Sequence, residues 1–498
     1  MLLNLDRNRP EPLYRQIIDG VRALIDDGTL ELGRPLPSSR RLAAQLGVDR
    51  TTVTEAYAEL QAMGCLRSRP GSYTIVQRRG GTEAGVPDVP CPVKWKEMVR
   101  PEAEEAYRAF RGPSAEPPSR PKSRGDIISL AQLDPDPRLF PLAQIHRVFT
   151  RSLWSHAHEP FEYGSYQGYE PLRDHLARRM RLHGVGVSAD DILVTNGAQQ
   201  ALDLLIRLLG RPGTKVVVES PTYSLMIPLL GINGVTAVPI RMKGDGMDLD
   251  RLEVTLEKEK IAFVYTMPNF QNPTGITTDH EHRTRLLSLC RSRGVPIVED
   301  GFEEDMKYFG KVDLPIKSMD GGNVVIYVGT FSKALFPGLR VGWIAAAPDC
   351  VQRLTAVKRF ADLTSNHLAQ VFMYHFCEEG HYDNHLRRLH RAYRKRLALT
   401  LRTMEEHLPS SVTWTEPPGG YTLWVRMPRR MTGAELEALL RPHGVAVSAG
   451  QNFFCGGAAS EYFRLCIART DEEEIREGVR RLGKALKAEF GPAGRPGR

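Results

Sequence analysis

GTFSKALFPGLRVGW, residues 329–343, is the stretch on which the reading of this chain turns. It continues an apolar run, NVVIYVGT (323–330), of the length of one buried strand. Lys333 comes just past that run, at the C-terminal end of the strand, where α/β sheets present the groups that meet ligands. A Pro-Gly turn follows, and Arg340 stands at a spacing that lets a permanent cation return toward the lysine. A lone Ser-Lys pair carries no information, whereas the whole S-K-A-L-x-P-G-L-R-x-G-W string is specific. Outward from it lie further strand-like runs: DILVTN (191–196), KVVVES (215–220), IAFVYTMP (261–268) and VPIVED (295–300). Helical patterns such as Gln199–Leu209 and His280–Arg293 separate them. Apolar strands alternating with amphipathic helices predict an α/β fold: a mostly parallel sheet with helices on both faces. After about Ala346 the chain turns helical and Arg-rich, and a small C-terminal α/β domain carries GGYTLWVRM and YFRLCIA.

The totals narrow the class. The 498 residues suffice for about three folding units. Hydrophobic content of 41% and charged content of 25% are those of a soluble globular protein, and a net charge of +8 is compatible with nucleic acid without proving it. Seven cysteines without a C-x-x-C spacing argue against a disulfide framework or a metal centre, and predict reduced thiols. No apolar leader and no membrane span is visible, so the expected location is the cytoplasm. Texture divides the chain into residues 1–78, a Pro-, Gly-, Arg- and Glu-rich linker over 79–124 with a short helix near Lys94–Phe110, and 125–498, with a large part over about 150–350 and a small part over about 351–490.

Several residues converge with Lys333. Asn196-Gly197-Ala198-Gln199 ends a strand and opens a helix, a turn whose free N–H groups bind phosphate. Thr330 and Ser332 can add hydroxyls. Asp300 ends VPIVED, while its neighbour Glu299 must point to the opposite face of the strand. Asn272 in NFQNPTG can donate a hydrogen bond, and Tyr223 in ESPTYS can stack on a ring. Arg464 stands in a strand pattern that should be buried, and a carboxylate of a ligand or a structural ion pair would satisfy it.

Pyridoxal phosphate needs a lysine for its aldehyde, donors and cations for its phosphate, an acid for its pyridine nitrogen and a partner for its ring. The set above supplies each, with Lys333 and Asp300 as the catalytic pair. In order and approximate spacing these motifs resemble the fold-type I aminotransferases over residues 125–488. The resemblance implies a homodimer with active sites at the subunit interface, where Tyr163 of YGSYQGYEPLR would reach the phosphate of the neighbouring subunit, Tyr166 being the lesser candidate. Two departures stand out. Relatives commonly carry Asp-x-Tyr where this chain has Asp300-Gly301-Phe302, and LAQLDPDPRLFP lacks the glycine usual near the substrate entrance.

The N-terminal segment reads differently. Leu13, Ile17, Val21 and Leu24 share a helix face that Gly28 ends. Ser38 or Ser39 can cap a helix bearing Leu42, Ala43 and Leu46, and Gly47-Val48-Asp49 turns into a second helix. That helix would face inward with Val53, Ala56, Tyr57, Leu60 and Met63, and Thr52-x-x-Glu55 matches a capping box at its start. This is helix-turn-helix spacing, with Arg50, Thr51 and Thr52 placed for base edges and Arg40 and Arg41 for phosphates. Arg69-Pro70-Gly71-Ser72 matches the tip of a β-wing. The strings PLYRQI, GRPLPSSRRLA, LGVDRTTVTEAY and SRPGS resemble, in order, the winged-helix domain of the GntR regulators. That resemblance implies double-stranded operator DNA as a partner, with Ser38, Ser39, Arg40, Arg50, Thr51, Thr52, Arg69 and Gly71 in contact.

Together the halves resemble the MocR subfamily of GntR-type regulators. The resemblance implies a pyridoxal-phosphate-dependent transcriptional regulator in which an amine or amino-acid effector, its carboxylate held by Arg464, attacks the Lys333 aldimine. An active aminotransferase with an accessory DNA-binding domain, and a DNA-binding protein whose large domain only dimerises, are the alternatives.

Overall fold

The computed structural model describes residues 3, 5–7, 9, 11–68, 73–77, 94–111, 127–155, 161–310, 313–321 and 323–491. They form two compact units, Met1–Met98 and Val99–Arg498.

In the first unit three helices, Leu13–Asp26, Ser39–Leu46 and Arg50–Ala62, enclose a core of Ile17, Ile18, Val21, Leu42, Val53, Ala56, Tyr57 and Leu60. Ser38 caps the second helix, its Oγ accepting from the Arg41 N–H. Gly47, at φ +64°, takes the left-handed turn that ends it. The third helix differs from expectation at both ends. Its cap is Asp49, whose Oδ1 accepts from the Thr51 N–H at 2.7 Å, so Thr52 lies inside the helix and no Thr52–Glu55 capping box forms. Met63 falls beyond the last turn and is exposed rather than inward-facing. Leu66–Arg67 pairs antiparallel with Ile75–Val76 as the two arms of a wing.

The second unit is built on an eight-stranded sheet: β1 Ile192–Thr195, β2 Lys215–Ser220, β3 Thr236–Lys243, β4 Gly246–Met247, β5 Ile261–Thr266, β6 Ile297–Asp300, β7 Val325–Thr330 and β8 Gly342–Ala345, in the spatial order β1-β8-β7-β6-β5-β2-β3-β4. β8 and the short β4 run against the others, so the sheet is mixed though mostly parallel. β8 lies within the string that opened the reading: after Lys333 the chain doubles back and inserts Gly342–Ala345 between β7 and β1. Gly342 is needed there, because a Cβ would come 2.8 Å from the Gly197 backbone.

A smaller four-stranded antiparallel sheet follows, in the order Thr413–Trp414, Thr422–Met431, Ser460–Cys466, Ser448–Ala449. It packs with the long helix His381–His407 and the C-terminal helix Glu472–Phe490. The start of the unit joins this part rather than the large sheet: Ile128–Ser129 pairs with Val445–Ala446. The helix Pro101–Arg111 packs on Met226–Ile232. No helix of the described residues is long and apolar enough to cross a membrane, and no cluster of three or more His, Cys, Asp or Glu side chains among them could hold a metal ion.

Candidate functional site

The C-terminal ends of the parallel strands open onto a cavity of roughly 310 Å³. Ala198, Gln199, Tyr223, Asn272, Asp300, Thr330, Ser332, Lys333 and Arg340 line it, joined by the apolar Leu133, Leu225, Met267 and Phe302. Residues far apart in sequence are brought here because each ends a strand or opens the loop after one, and neighbouring strands end at the same level.

Asp300 ends β6 and is buried. Its Oδ2 accepts from the Tyr265 hydroxyl at 2.8 Å, and its Oδ1, also buried, has no hydrogen-bond partner among the described residues. Burial pushes its carboxyl up to about 6, against the pull of Tyr265, the Phe302 N–H and Lys333. Glu299 points to the other face, as alternation requires, and accepts from the Ile316 and Lys317 N–H groups.

Lys333 is half-buried, and its Nζ donates to the Leu133 carbonyl at 3.2 Å. Desolvation lowers its pKa, and Asp134 and Glu303 partly restore it. Arg340 reaches back to Asn196, its Nη2 donating to that carbonyl at 2.8 Å. The guanidinium thereby lies over Gly197, where a Cβ would come 2.6 Å from Nη2. Gly197, at φ +86° and ψ 170°, precedes the helix Ala198–Leu209 in a conformation open essentially to glycine alone. Asp362 steadies this turn, accepting from Asn196 Nδ2, Gln200 Nε2 and the buried Lys358 Nζ. The Tyr223 hydroxyl donates to Gln199 Oε1 at 3.1 Å. The Thr330 hydroxyl donates within its own loop, to Ser332 Oγ and the Val341 carbonyl.

Arg464 is buried, and its partners are neutral: Asn272 Oδ1 at 2.9 Å, the Ala131 carbonyl at 2.8 Å and Ser448 Oγ at 3.2 Å. Its Nε has no partner among the described residues. No ion pair satisfies this charge within those contacts, which leaves a donor for an anion. Asn272 thus spends its acceptor on Arg464 and keeps its amide donors.

These residues fit pyridoxal phosphate. A bare buried carboxylate oxygen, an amine held only by a carbonyl, and a glycine-led helix start under a guanidinium are the three polar features the cofactor requires, and one cavity holds them. Tyr163 is 84% exposed and lies outside this cavity's lining. Tyr166 is stacked under Arg359.

Sequence reasoning passed over Tyr265, Glu303 and Tyr421, and the carbonyls of Ala131 and Leu133. Tyr265 had a partial signal, since it lies in one of the strand runs read from the sequence, but its pairing with the strand of Asp300 is seen only in the fold. Glu303 had a weaker one in the acid run after Phe302. The carbonyls had none, for a backbone acceptor is not encoded by residue type.

On the first unit, Ser38 and Arg40 are exposed at the start of the Ser39–Leu46 helix and Arg50 and Thr51 at the start of the Arg50–Ala62 helix, with Ser39 and Thr52 partly covered. The Thr51 hydroxyl is turned to Asp49 Oδ1. Gln61 Nε2 donates to Ser68 Oγ, itself 2.7 Å from Thr74 Oγ1, so the helix is tied to the wing. Arg69 and Gly71 lie outside the described residues.

Residues 140–482 match the family of class I and II aminotransferases, and residues 13–76 match the gntR family of bacterial regulatory proteins. The chain is 30% identical to the probable rhizopine catabolism regulatory protein MocR of Rhizobium meliloti, over 98% of this chain and 96% of that one. It is 36% identical to 2-aminoadipate transaminase of Thermus thermophilus over 73% of this chain and 91% of the relative. Among solved structures, an α-aminoadipate aminotransferase of Thermus thermophilus, complexed with N-(5'-phosphopyridoxyl)-L-leucine, superposes with a TM-score of 0.73 at 32% identity, covering 80% of this chain and 99% of that one.

Proposed function

The chain belongs to the class I and II aminotransferase family in its MocR form, a gntR-family domain fused ahead of the aminotransferase fold, and from that premise we propose that it is a transcriptional regulator that binds operator DNA as a homodimer and takes up an amine or amino-acid effector at Lys333. Pyridoxal 5'-phosphate is the cofactor that the family implies. The observation that carries the regulator reading is the likeness to MocR along nearly the whole chain, across both units.

Bound in the cavity, pyridoxal phosphate supplies an aldehyde that condenses with amines and a ring that draws electrons. The protein's residues do the rest. Lys333 would be the amine that holds the aldehyde, and the one whose place an effector amine would take. Asp300 Oδ1 holds a proton on the ring nitrogen. Gly197, Ala198, Gln199, Thr330, Ser332 and Arg340 receive the phosphate, with Tyr163 added from the neighbouring subunit. Tyr223 covers the ring face, Asn272 donates to the ring's 3-oxygen, and Arg464 takes the effector's carboxylate in place of neutral partners. An effector changes DNA binding to the extent that it binds the two states of the dimer unequally.

The test is spectral and electrophoretic. Visible absorbance that Lys333→Ala abolishes, changed by an amine that also changes a gel shift on upstream DNA, is the expected result. A gel shift indifferent to every amine that changes the absorbance would sink the sensor reading.

A working aminotransferase is the second reading. The completeness of the cavity and relatives named as transaminases favour it. Many rapid cycles with an amino acid and 2-oxoglutarate would select it over the regulator.

A further inference from the structure

Three acids follow Phe302, and their surroundings differ. Asp305 is paired with Arg179 at 2.8 Å and accepts from the Tyr382 hydroxyl. Glu304 accepts from Asn269 Nδ2 at 2.8 Å and faces His183. Glu303 is 1% exposed and has one neutral partner: its Oε2 accepts from the Tyr421 N–H at 3.2 Å, pressed against Gly420, where a Cβ would come 2.6 Å from that oxygen. Its Oε1 is buried with no partner among the described residues.

Lys333 is the complementary case, an amine whose Nζ is hydrogen-bonded, among the described residues, to the Leu133 carbonyl alone. Both residues line a second, smaller cavity of roughly 40 Å³, with room for a water. Both are tied to Tyr421: Glu303 accepts from its N–H, and the Lys333 carbonyl accepts from its hydroxyl at 2.7 Å. The charged and titratable groups around the pair are otherwise committed or neutral. Arg179, on the cavity wall, serves Asp305 and Asp383, and Arg464 serves Asn272, Ala131 and Ser448. Asp300 accepts from Tyr265, His183 faces Glu304, and Tyr308, Tyr421 and Cys466 are pushed up by burial and stay protonated. Asp134 also favours the Lys333 ammonium, more strongly than Glu303 does.

Resting on the reading of Lys333 as the cofactor lysine, we propose that Glu303 is its proton partner, taking the proton that Nζ gives up when the lysine turns nucleophilic and returning it when the lysine is set free. The transfer is balanced: a Glu303 carboxylate and a Lys333 ammonium become a carboxylic acid and an amine, and the net charge of the pocket is unchanged. Burial acts on the two groups in the direction the transfer needs, pushing Glu303 up to about 8 and Lys333 down, which draws their affinities for a proton toward each other.

The test is the pH profile of pyridoxal phosphate capture by the full-length protein after its cofactor has been stripped, followed by visible absorbance. Removing a carboxylate from the cavity that Lys333 lines makes its half-buried ammonium easier to deprotonate. Glu303→Gln is therefore expected to move the midpoint of capture to lower pH by about 1 unit or more, and Glu303→Asp to bring it back toward the wild type. A packing role alone would change the melting temperature and leave the midpoint in place. If Glu303→Gln does not fold, Glu303→Asp is read by itself, with a smaller shift in the same direction expected. An unshifted midpoint in the folded variant overturns the proposal while Lys333 keeps its role. Capture that persists in Lys333→Ala overturns both.

Discussion

At the scale of single residues, the site is a set of backbone and burial constraints around a few polar atoms. Gly197→Ala puts a side chain into a glycine-only conformation and against Arg340. It should cost about 1–3 kcal/mol in thermal unfolding and weaken retention of pyridoxal phosphate in equilibrium dialysis. Asp300 carries a pH dependence whose sign is set by burial. Its carboxyl is pushed up to about 6 in the folded, cofactor-free protein, against roughly 3.9 when unfolded. The folded state then binds the proton more tightly, so this contribution is present at low pH and is lost as pH rises between those values. In stripped protein Asp300→Asn should stabilise by about 1–3 kcal/mol above about pH 7 and change little near pH 4; a destabilisation at both would refute the assigned burial cost. Phe302 is buried and faces the cavity without a hydroxyl. Phe302→Tyr would add a donor beside the cofactor's 3-oxygen, and a donor there favours the oxygen's anion. The absorbance titration of the loaded protein should move to lower pH, and an unmoved curve would place that hydroxyl elsewhere.

At the scale of elements, the winged-helix unit shows how a pattern can be right about a helix and wrong about its start. Asp49 and Thr52 are both able to cap, and the outcome turned on the Gly47 turn, which leaves Asp49 as the last residue outside the helix. Asp49→Ala should lower the stability of this unit by about 1 kcal/mol, read by circular dichroism, and lower DNA affinity with it. The exposed Arg40 and Arg50 should act without unfolding anything. Arg40→Ala and Arg50→Ala are each expected to weaken a gel shift with upstream DNA, leaving cofactor absorbance unchanged, and a phosphate contact among them would reduce the salt slope by about 1. No loss with both changed would show that another face of the unit meets DNA.

At the scale of the whole molecule, the features that remain unsatisfied within one chain point outward. Tyr163 is exposed, and in the proposed homodimer it would reach the site of a neighbouring subunit. Mixed dimers of Tyr163→Ala and Lys333→Ala chains should recover one cofactor site in which the lysine and the tyrosine come from opposite subunits. Absorbance in the mixture no greater than in Tyr163→Ala alone would argue that Tyr163 does not cross. The sheet makes a related point. Five of its strands were legible as apolar runs, because strands buried on both faces must be continuously apolar. β8 was hidden inside the lysine string, and its direction follows only from its neighbours β7 and β1.

The sequence by itself determined the two-part architecture, the lysine, the strand-end acid and the glycine turn, because each depends on residue type at a short spacing from a strand or helix boundary. The tertiary structure alone decided which of these have partners. That Arg464 is held by neutral groups, that Asp300 keeps one bare oxygen beside the one bound to Tyr265, that the segment Ile128–Ser129 pairs with Val445–Ala446, and that Glu303 lines the same cavity as Lys333 all depend on contacts between residues far apart in the chain. Such contacts are fixed by how strands end against one another, and the backbone carbonyls of Ala131 and Leu133 that complete the site leave no mark in residue type. Lys333 therefore reads from sequence as a nucleophile, while the carbonyl it binds, the carboxyl that shares its cavity and its desolvation are properties of the fold.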